Sequence, residues 1–237
     1  DQTDNSLAGA GAAYVFTRSG TTWSQQAYVK ASNTGANDYF GAKLSLSSDG
    51  NILAIGANGE DSSATGINGN QTNNTAYSSG AAYVFTRTGT TWSQQAYLKA
   101  SNTDPNDRFG FGLSLNSDGS TLAVGASSES SNAIGINGDQ TDNSSTKSGA
   151  TYIFTRTGAT WTQQAYLKAS NTDSNDYFGL RLTFSSDGNT IAISALESSN
   201  ATGINGNQTD NSLAPSVYAG TGAVYLFTRT GTTWSQQ

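Results

Sequence analysis

Apolar and polar residues alternate along short stretches of the chain, and runs of Ser, Asn, Gly and Asp separate these stretches. In the stretch 109–116, Leu113 and Leu115 lie on one face, and the polar sequence Ser-Asp-Gly-Ser follows at 117–120. The alternation resumes at 121–126, so the two stretches predict a β-hairpin in which the Asp-Gly pair supplies a positive φ. No stretch has the i, i+3, i+4, i+7 apolar spacing of an amphipathic helix, which predicts an all-β fold.

Two further strands are predicted after this hairpin. A long loop rich in Ser, Asn, Gly and Asp leads to the stretch 150–156, where apolar side chains alternate between two faces. A tight turn at 157–159 then leads to the stretch 160–168. Each unit is therefore predicted to form four antiparallel strands. Strict alternation along the last stretch places four side chains on one face: Trp161, Gln163, Ala165 and Leu167.

The same four-strand pattern recurs along the chain. The motif Gly-Thr-Thr-Trp-Ser-Gln-Gln, or a close variant, occurs at Trp23, Trp92, Trp161 and Trp234, which gives intervals of 69, 69 and 73 residues. The motif Asn-Asp-x-Phe-Gly also recurs at an interval of 69 residues. We therefore divide the chain into units that together form one repeat domain. These units are a partial repeat at 1–26 with the third and fourth strands, repeats at 27–95 and 96–164, and a repeat at 165–237 that is truncated in its last strand.

The composition excludes several kinds of chemistry. Cys, His and Met are absent, so the chain has no disulfide, no thiolate or imidazole metal ligand, and no Cys or His nucleophile. Its 17 acidic and 11 basic residues give a net charge of −6, and no run of basic residues could follow a phosphate backbone. No stretch approaches the apolar length that a membrane-spanning helix needs. We therefore expect neither nucleic-acid binding nor membrane insertion.

The acidic residues do not form a candidate catalytic pair. Such a pair needs a unique pocket in which two carboxylates have different pKa values, whereas periodic carboxylates beside loops are typical of turns and caps. We therefore predict structural roles for these groups and predict that the chain is not an enzyme. The carboxylates that recur once per unit are Asp38, Asp107 and Asp176, then Asp49, Asp118 and Asp187, then Glu60, Glu129 and Glu197.

The long loops carry oxygen-bearing side chains at alternate positions. Such donors in a Gly-containing loop suit a hard cation, so calcium is the one cofactor that the sequence suggests. The alternative is that the same side chains form hydrogen bonds within their own loop. The candidate ligands are Asp1, Asp4, Asp139, Thr141, Asp142, Asn143 and Asp210.

The repeated Trp residues have two interpretations. Aromatic side chains on strands either stack on sugar rings, as in repeat lectins, or pack between sheets, where each buries a large area. The two interpretations differ in whether the indole rings are buried. The candidate ligand-binding residues are Trp23, Trp92, Trp161 and Trp234.

A Phe-Gly motif recurs once in each of the three units that follow the partial repeat. The sequence Phe109-Gly110-x-x-Leu-Ser-Leu, followed by Leu-Ala-Val-Gly-Ala at 122–126, resembles the FG-GAP repeat of integrin α-chain propellers and their bacterial relatives. The same pattern begins at Phe40 and at Phe178. The resemblance implies an all-β, β-propeller-like array of four-stranded antiparallel blades, with about 69 residues per repeat. In the family, the first turn of the repeat often carries an Asp/Asn-rich calcium loop, whereas here it has one carboxylate.

Near-identical units present the same surface several times, which favours avidity or assembly over one tailored pocket. A closed propeller usually needs at least four blades, so we expect the chain to self-associate or to continue in a longer chain and a larger propeller assembly. We predict a non-enzymatic structural or adhesive module, extracellular or at the cell surface, with glycans or surface proteins as candidate partners. The alternative is a carbohydrate-binding, lectin-like propeller with sites at the blade junctions.

Overall fold

The computed structural model describes residues 2–197, 199, 201–208 and 222–237. This part of the chain contains fourteen β-strands in four antiparallel sheets and no helix. Sheet I consists of β1 (Ala13–Ser19) and β2 (Thr22–Val29). Sheet II consists of β3 (Lys43–Leu46), β4 (Ile52–Ala57), β5 (Ala81–Thr88) and β6 (Thr91–Leu98). Sheet III consists of β7 (Phe109–Leu115), β8 (Thr121–Ala126), β9 (Ala150–Thr157) and β10 (Thr160–Leu167). Sheet IV consists of β11 (Leu182–Phe184), β12 (Thr190–Ala195), β13 (Ala223–Thr230) and β14 (Thr233–Gln236).

Within each sheet, the strands follow one another in chain order and each pairs antiparallel with the next. The predicted all-β class is therefore confirmed, and three of the sheets have the predicted four strands. The fourth strand has eight residues in sheets II and III but four in sheet IV. The units of the sequence were counted from the Trp motif, which lies in the fourth strand, so the divisions after residues 26, 95 and 164 fall within β2, β6 and β10.

One glycine shapes the turn between the first two strands of each four-stranded sheet. Gly50, Gly119 and Gly188 have φ angles of 68°, 69° and 71°, a region that residues with a side chain rarely adopt. The preceding Asp stabilises the turn, because the Asp118 carboxylate accepts the backbone N–H of Ser120 at 2.8 Å. The positive φ predicted for the Asp-Gly pair is therefore found at the glycine.

A β-bulge in the fourth strand changes which side chains share a face. In sheet III, the register between β10 and β9 shifts between Gln163 and Ala165. As a result, Trp161 packs in the cluster between sheets II and III, whereas Ala165 and Leu167 pack in the cluster between sheets III and IV. The prediction of one shared face is wrong, because an extra residue in the strand reverses the alternation. Sheets I and II have a register shift at the equivalent place.

The hydrophobic core lies between consecutive sheets, and apolar clusters join sheet I to II, II to III, and III to IV. In sheet III, Tyr152 faces sheet II, and Ile153 faces sheet IV. Phe109 contacts the rings of Tyr152 and Phe154 edge-on, at centroid distances of 5.4 and 6.1 Å. Each sheet thus has one face with large aromatic side chains, the aromatic face, and one face with Ala and aliphatic side chains, which we call the small face. In sheet III, the aromatic face comprises Phe109, Tyr152, Phe154 and Tyr166, and the small face comprises Ala123, Ile153, Ala165 and Leu167.

Consecutive sheets also approach each other through their backbones. Gly80, just before β5, forms an isolated parallel bridge with Phe109, the first residue of sheet III. The φ of Gly80 is 81°, and a Cβ at this position would lie 2.1 Å from the Phe109 carbonyl oxygen. Gly149 makes the same approach to Phe178, at 2.2 Å. Glycine is therefore required at these points, where the backbones of two consecutive sheets come into contact.

We expect Gly80→Ala to lower the free energy of unfolding by about 3 kcal/mol or more, because a backbone clash adds to the cost of a positive φ. Gly89→Ala is the matched control, since its φ is 62° but nothing lies within 4 Å of an added Cβ. The control should lose about 1–2 kcal/mol. Urea unfolding of both variants measures the difference, and equal losses would contradict a close backbone crossing at Gly80.

Candidate functional site

A hydrogen bond from a Trp to a Gln bridges each junction between consecutive sheets. Trp161 in β10 donates its indole N–H to the side-chain oxygen of Gln95 in β6, at 3.0 Å. The acceptor belongs to the preceding sheet, so this hydrogen bond joins the fourth strand of sheet III to the fourth strand of sheet II. The equivalent bonds run from Trp92 to Gln26 at 3.0 Å and from Trp234 to Gln164 at 2.9 Å.

The four Trp residues of the sequence motif have different surroundings. Trp161 and Trp234 are buried, with 3% and 5% of their surface exposed, and Trp92 is half-buried. An Arg guanidinium lies over each of these three rings, at 5.3 to 5.9 Å from a ring centroid. Trp23 is 64% exposed. The rings of Trp92, Trp161 and Trp234 therefore lie at the junctions, whereas the ring of Trp23 is open to solvent.

A second polar contact crosses each junction, from an Asn that follows the fourth strand. The amide of Asn102 donates to Glu129 at 3.0 Å and to the backbone oxygen of Gln140 at 3.0 Å. The hydroxyl of Tyr152 donates to the side-chain oxygen of Asn102. Asn102 thereby joins the end of sheet II to the long loop and the third strand of sheet III. The equivalent residues at the other junctions are Asn33 and Asn171.

The Glu that accepts this bond lies in a buried polar cluster. Glu129 Oε2 is 2.9 Å from Lys168 Nζ, and both side chains are almost fully buried. Lys168 also donates to Ser148 Oγ at 2.6 Å, and the Tyr166 hydroxyl donates to Glu129 at 3.0 Å. Burial lowers the pKa of Lys168, although the charge of Glu129 acts in the opposite direction. The same ion pair joins Glu60 and Lys99 in sheet II, at 2.9 Å.

These lysines were not among the candidate residues from the sequence. Lys30, Lys99 and Lys168 recur at the 69-residue interval, so a signal was present. The sequence does not indicate that each lysine pairs with a glutamate. Glu60 and Lys99 are 39 residues apart and meet only because the long loop folds back on the fourth strand. Removing one partner of such a pair leaves a buried charge without compensation, which is strongly destabilising.

Three further buried carboxylates belong to the Asn-Asp-x-Phe-Gly motif. Asp107 is 3% exposed and accepts the backbone N–H of Asp104 at 3.0 Å. Burial raises the pKa of Asp107 to about 8, and the nearby charge of Glu129 adds to the shift. Burial also raises the pKa of Asp38 to about 6 and that of Asp176 to about 7. These carboxyl groups therefore hold their protons at a higher pH in the folded protein than in the unfolded chain.

The candidate calcium ligands of the sheet III loop form hydrogen bonds within and beside their own turns. Asp139 accepts both the backbone N–H and the hydroxyl of Thr141, at 2.9 and 2.8 Å. Asp142 accepts a backbone N–H two residues further on, at 2.6 Å. Asn143 donates its amide to Asp104 at 2.9 Å. Most of these bonds are of the kind expected for a loop that bonds to itself.

The other candidate ligands lie near the start of the chain and in the sheet IV loop. Asp4 is exposed and accepts the backbone N–H of Ser6 at 2.9 Å. Asp1 and Asp210 lie outside the described residues. Within the described part of the chain, no group of three or more acidic side chains comes together as a metal site. Calcium binding by these loops stays a prediction.

The fold and the junctions define an all-β repeat protein whose antiparallel sheets pack through one recurring set of contacts. The family model for the FG-GAP repeat matches residues 23–85, 92–154 and 161–227. The chain therefore belongs to the FG-GAP repeat family, and the prediction from the Phe-Gly motifs is confirmed. A comparison with curated proteins found no match. Among the described residues, no helix is long and apolar enough to cross a membrane.

We expect the raised pKa of Asp107 to make the protein less stable as the pH rises. The unfolded chain releases this proton near pH 3.8 and the folded protein near pH 8, so the stabilisation is full below the lower value and is lost as the pH rises to the upper one. Asp107→Asn should therefore remove part of the fall in the free energy of unfolding between these two values. Urea unfolding at a series of pH values measures the effect.

Asp118→Asn is the matched control for this experiment. Asp118 is exposed, and hydrogen bonds from Ser120 lower its pKa, so its contribution is present at neutral pH and is lost as the pH falls. The two variants should change the pH dependence in opposite directions. If Asp107→Asn leaves the pH dependence of the parent protein unchanged, the raised pKa of Asp107 is not supported.

Proposed function

We propose that the chain is a structural or adhesive module that assembles end to end or belongs to a larger propeller assembly, with its sheets acting as the blades of a propeller-like array. Repeats of the FG-GAP family are typically extracellular, adhesion-type modules and are generally non-enzymatic. The same contacts recur at each described junction, which fits a repeated surface better than one tailored active site. We accordingly infer a non-enzymatic protein that works outside the cell or at its surface.

The observation that carries this proposal is that the first and last of the four sheets have complementary apolar faces, which another copy of the chain or further repeats of a longer chain would cover. Sheet I exposes its aromatic face, where Tyr14, Phe16 and Trp23 are 49%, 51% and 64% exposed. Sheet IV exposes its small face, where Val224 and Leu226 are 67% and 46% exposed. Contiguous exposed apolar side chains are typical of an interaction surface.

The internal junctions indicate what would cover each of these faces. In sheet II, Phe85 is equivalent to Phe16 and is buried against sheet I. In sheet III, Ile153 is equivalent to Leu226 and is buried against sheet IV. The small face of a second copy therefore offers the aromatic face of sheet I the same kind of surface that covers the aromatic faces within the chain. Such a contact is heterologous, so it builds rings or filaments.

A polar contact is available at the same two ends. Trp23 is equivalent to Trp161, whose indole N–H donates to Gln95 of the preceding sheet. Gln237 is equivalent to Gln95, and its amide nitrogen donates to Thr228 at 2.7 Å. In an end-to-end contact, the indole N–H of Trp23 in one copy would donate to the side-chain oxygen of Gln237 in the next.

The test is the mass of the chain in solution by light scattering, which should increase with concentration. Phe16→Glu places a charge on the aromatic face, and Leu226→Glu places one on the small face, and a buried unpaired charge is costly. Each variant alone should be monomeric. An equimolar mixture should form a heterodimer, because one pair of complementary faces stays intact.

Ile134→Glu is the control for these variants. Ile134 is 62% exposed but lies in a loop of sheet III rather than on an end face, so this variant should assemble as the parent chain does. If Leu226→Glu alone still forms dimers, the contact joins two like faces instead. A parent chain that stays monomeric at all concentrations would rule out end-to-end assembly.

The exposed aromatic face supports a second candidate function, carbohydrate binding. Trp23 shares this face with Tyr14 and Phe16, and aromatic rings of this kind can stack on sugar rings. A sugar bound there would compete with a second copy of the chain. Oligosaccharides that bind should therefore disperse the assembly, whereas sugars without effect would leave carbohydrate binding unsupported.

A further inference from the structure

A cleft of about 430 Å³ lies between one end of sheet III and the loop that leads into sheet IV. The loops before β7, after β8 and before β9 meet there, because consecutive strands of the sheet are antiparallel. These loops contribute Arg108, Ser128 and Lys147 to the cleft, and the loop before β11 contributes Tyr177. The volume is in the range of sites that hold a small molecule.

Two basic side chains line the cleft, and no acidic side chain of the described residues does. Arg108 and Lys147 are exposed, and within the described part of the chain neither forms an ion pair or a side-chain hydrogen bond. The Lys147 ammonium lies 6.0 Å from the centroid of the Tyr177 ring. The whole chain has a net charge of −6, so the cleft differs in charge from the protein as a whole. Two unpaired cations in one cleft favour an anionic ligand.

The acidic residues that neighbour Arg108 in the chain do not pair with it. Asp104 accepts the side-chain amide of Asn143 at 2.9 Å. Asp107 is buried, and burial raises its pKa to about 8, so its carboxyl group is mostly protonated at neutral pH. The guanidinium of Arg108 is therefore available to a ligand.

The loop before β9 does not need a lysine in order to fold. Lys147 is equivalent to Ser78 in sheet II and to Gly9 in sheet I, and their φ angles are 55°, 50° and 67°. In sheet II, the Asp61 carboxylate accepts the backbone N–H of Ser78 at 2.7 Å. In sheet III, the hydroxyl of Ser130 accepts the backbone N–H of Lys147 at 3.2 Å. The same turn thus forms in both sheets, but sheet III loses a negative charge and gains a positive one.

The loop before β7 does not need an arginine either. Arg108 is equivalent to Tyr39 and Tyr177, and their φ angles are 58°, 55° and 51°. Such angles are uncommon for bulky side chains, and contact with the preceding sheet holds them here. The backbone N–H of Arg108 donates to the carbonyl of Ser78 at 3.1 Å. The backbone of this position is therefore fixed by the fold, whereas the arginine side chain is particular to sheet III.

Uncharged polar side chains complete the lining of the cleft. Ser128 is 6% exposed, and its hydroxyl forms no hydrogen bond within the described part of the chain. Thr146 and Asn106 are exposed beside it. Hydroxyl and amide groups both donate and accept hydrogen bonds, and a Tyr ring can stack on a sugar ring. The lining therefore suits a ligand that has hydroxyl groups next to its negative charge.

We propose that this cleft binds an acidic saccharide, a sugar unit that carries a carboxylate or a sulfate group. The anionic group lies between Arg108 and Lys147, where the planar guanidinium binds two of its oxygens. Hydroxyl groups of the sugar form hydrogen bonds with Ser128 and Asn106. The cleft is separate from the apolar faces of sheets I and IV, so this inference does not rest on the proposed function.

The test is calorimetric titration of the full chain at low ionic strength with disaccharides of glucose and of galactose. Each disaccharide is used in a neutral form, a uronic-acid form and a sulfate-ester form. At least one acidic form should show saturable one-to-one binding, and the form that binds more tightly identifies the anionic group. Its neutral counterpart should bind at least about tenfold more weakly, because it makes no charge-assisted hydrogen bonds. Absence of saturable binding by every acidic form, or equal binding of the neutral form, would overturn the inference.

Inorganic sulfate is a further ligand for the same titration. It carries the charge without the sugar, so it should bind at least about tenfold more weakly than the best acidic disaccharide. Equal binding of inorganic sulfate would show that the cleft recognises an anion alone and would overturn the assignment to a saccharide.

Two variants locate the saccharide with residues that the chain itself uses at equivalent positions. Arg108→Tyr and Lys147→Ser should each weaken binding at least about tenfold. Both should fold, because Tyr39 and Ser78 have the same backbone conformation in sheet II. Arg181→Gln is the matched control, since it removes the same charge from an exposed arginine outside the cleft, and it should bind as the parent does. Unchanged binding by either cleft variant, or an equal loss in the control, would overturn the inference.

The variant Phe16→Glu separates this cleft from the exposed aromatic face of sheet I. Phe16 does not line the cleft, so this variant should bind the acidic disaccharide with the affinity of the parent chain. Loss of binding in Phe16→Glu would place the sugar on the aromatic face and overturn the inference. A monomeric parent chain that binds the disaccharide through Arg108 and Lys147 would overturn end-to-end assembly alone.

Discussion

Both faces of the inner sheets are apolar, so each of these sheets must be covered on two sides. β8 is buried along its whole length, and the cover on either side is another sheet of the same repeat. Large rings on one side pack on Ala, Val, Ile and Leu on the other, and pairing large side chains with smaller ones suits the close packing of a protein interior. The order of the sheets and the burial of the Trp residues both depend on this pairing of an aromatic face with a small face.

Polar groups at the junctions give the packing its register. An apolar contact alone has little directional preference, whereas the Trp161 indole must meet Gln95 and the Asn102 amide must meet both Glu129 and the Gln140 carbonyl. The buried Glu129–Lys168 pair adds a further requirement, because it forms only when the long loop returns to the fourth strand. Since a buried polar group without a partner is costly, these bonds disfavour alternative alignments of the sheets.

The strands, the repeat and the family could be predicted because they depend on local alternation and on regular spacing. The bulge at Gln163 could not, since the alternation around it gives no local sign of an extra residue. The Glu129–Lys168 pair was also hidden, because its partners are far apart in the chain. The burial of a side chain also depends on whether a neighbouring sheet covers it, which the local sequence does not indicate. Phe16 and Phe85 lie in the same sequence Ala-Ala-Tyr-Val-Phe-Thr-Arg, but they are 51% and 5% exposed.

A double-mutant cycle between Trp161 and Gln95 tests this account most directly, because their hydrogen bond requires the aromatic face of sheet III to lie on the small face of sheet II. Trp161→Phe and Gln95→Leu should couple by about 1 kcal/mol in the free energy of unfolding. Trp161→Phe and Gln26→Leu belong to different junctions, so their effects should add. Coupling in the first cycle alone is the predicted result, and no coupling there, or equal coupling in both cycles, would contradict the account.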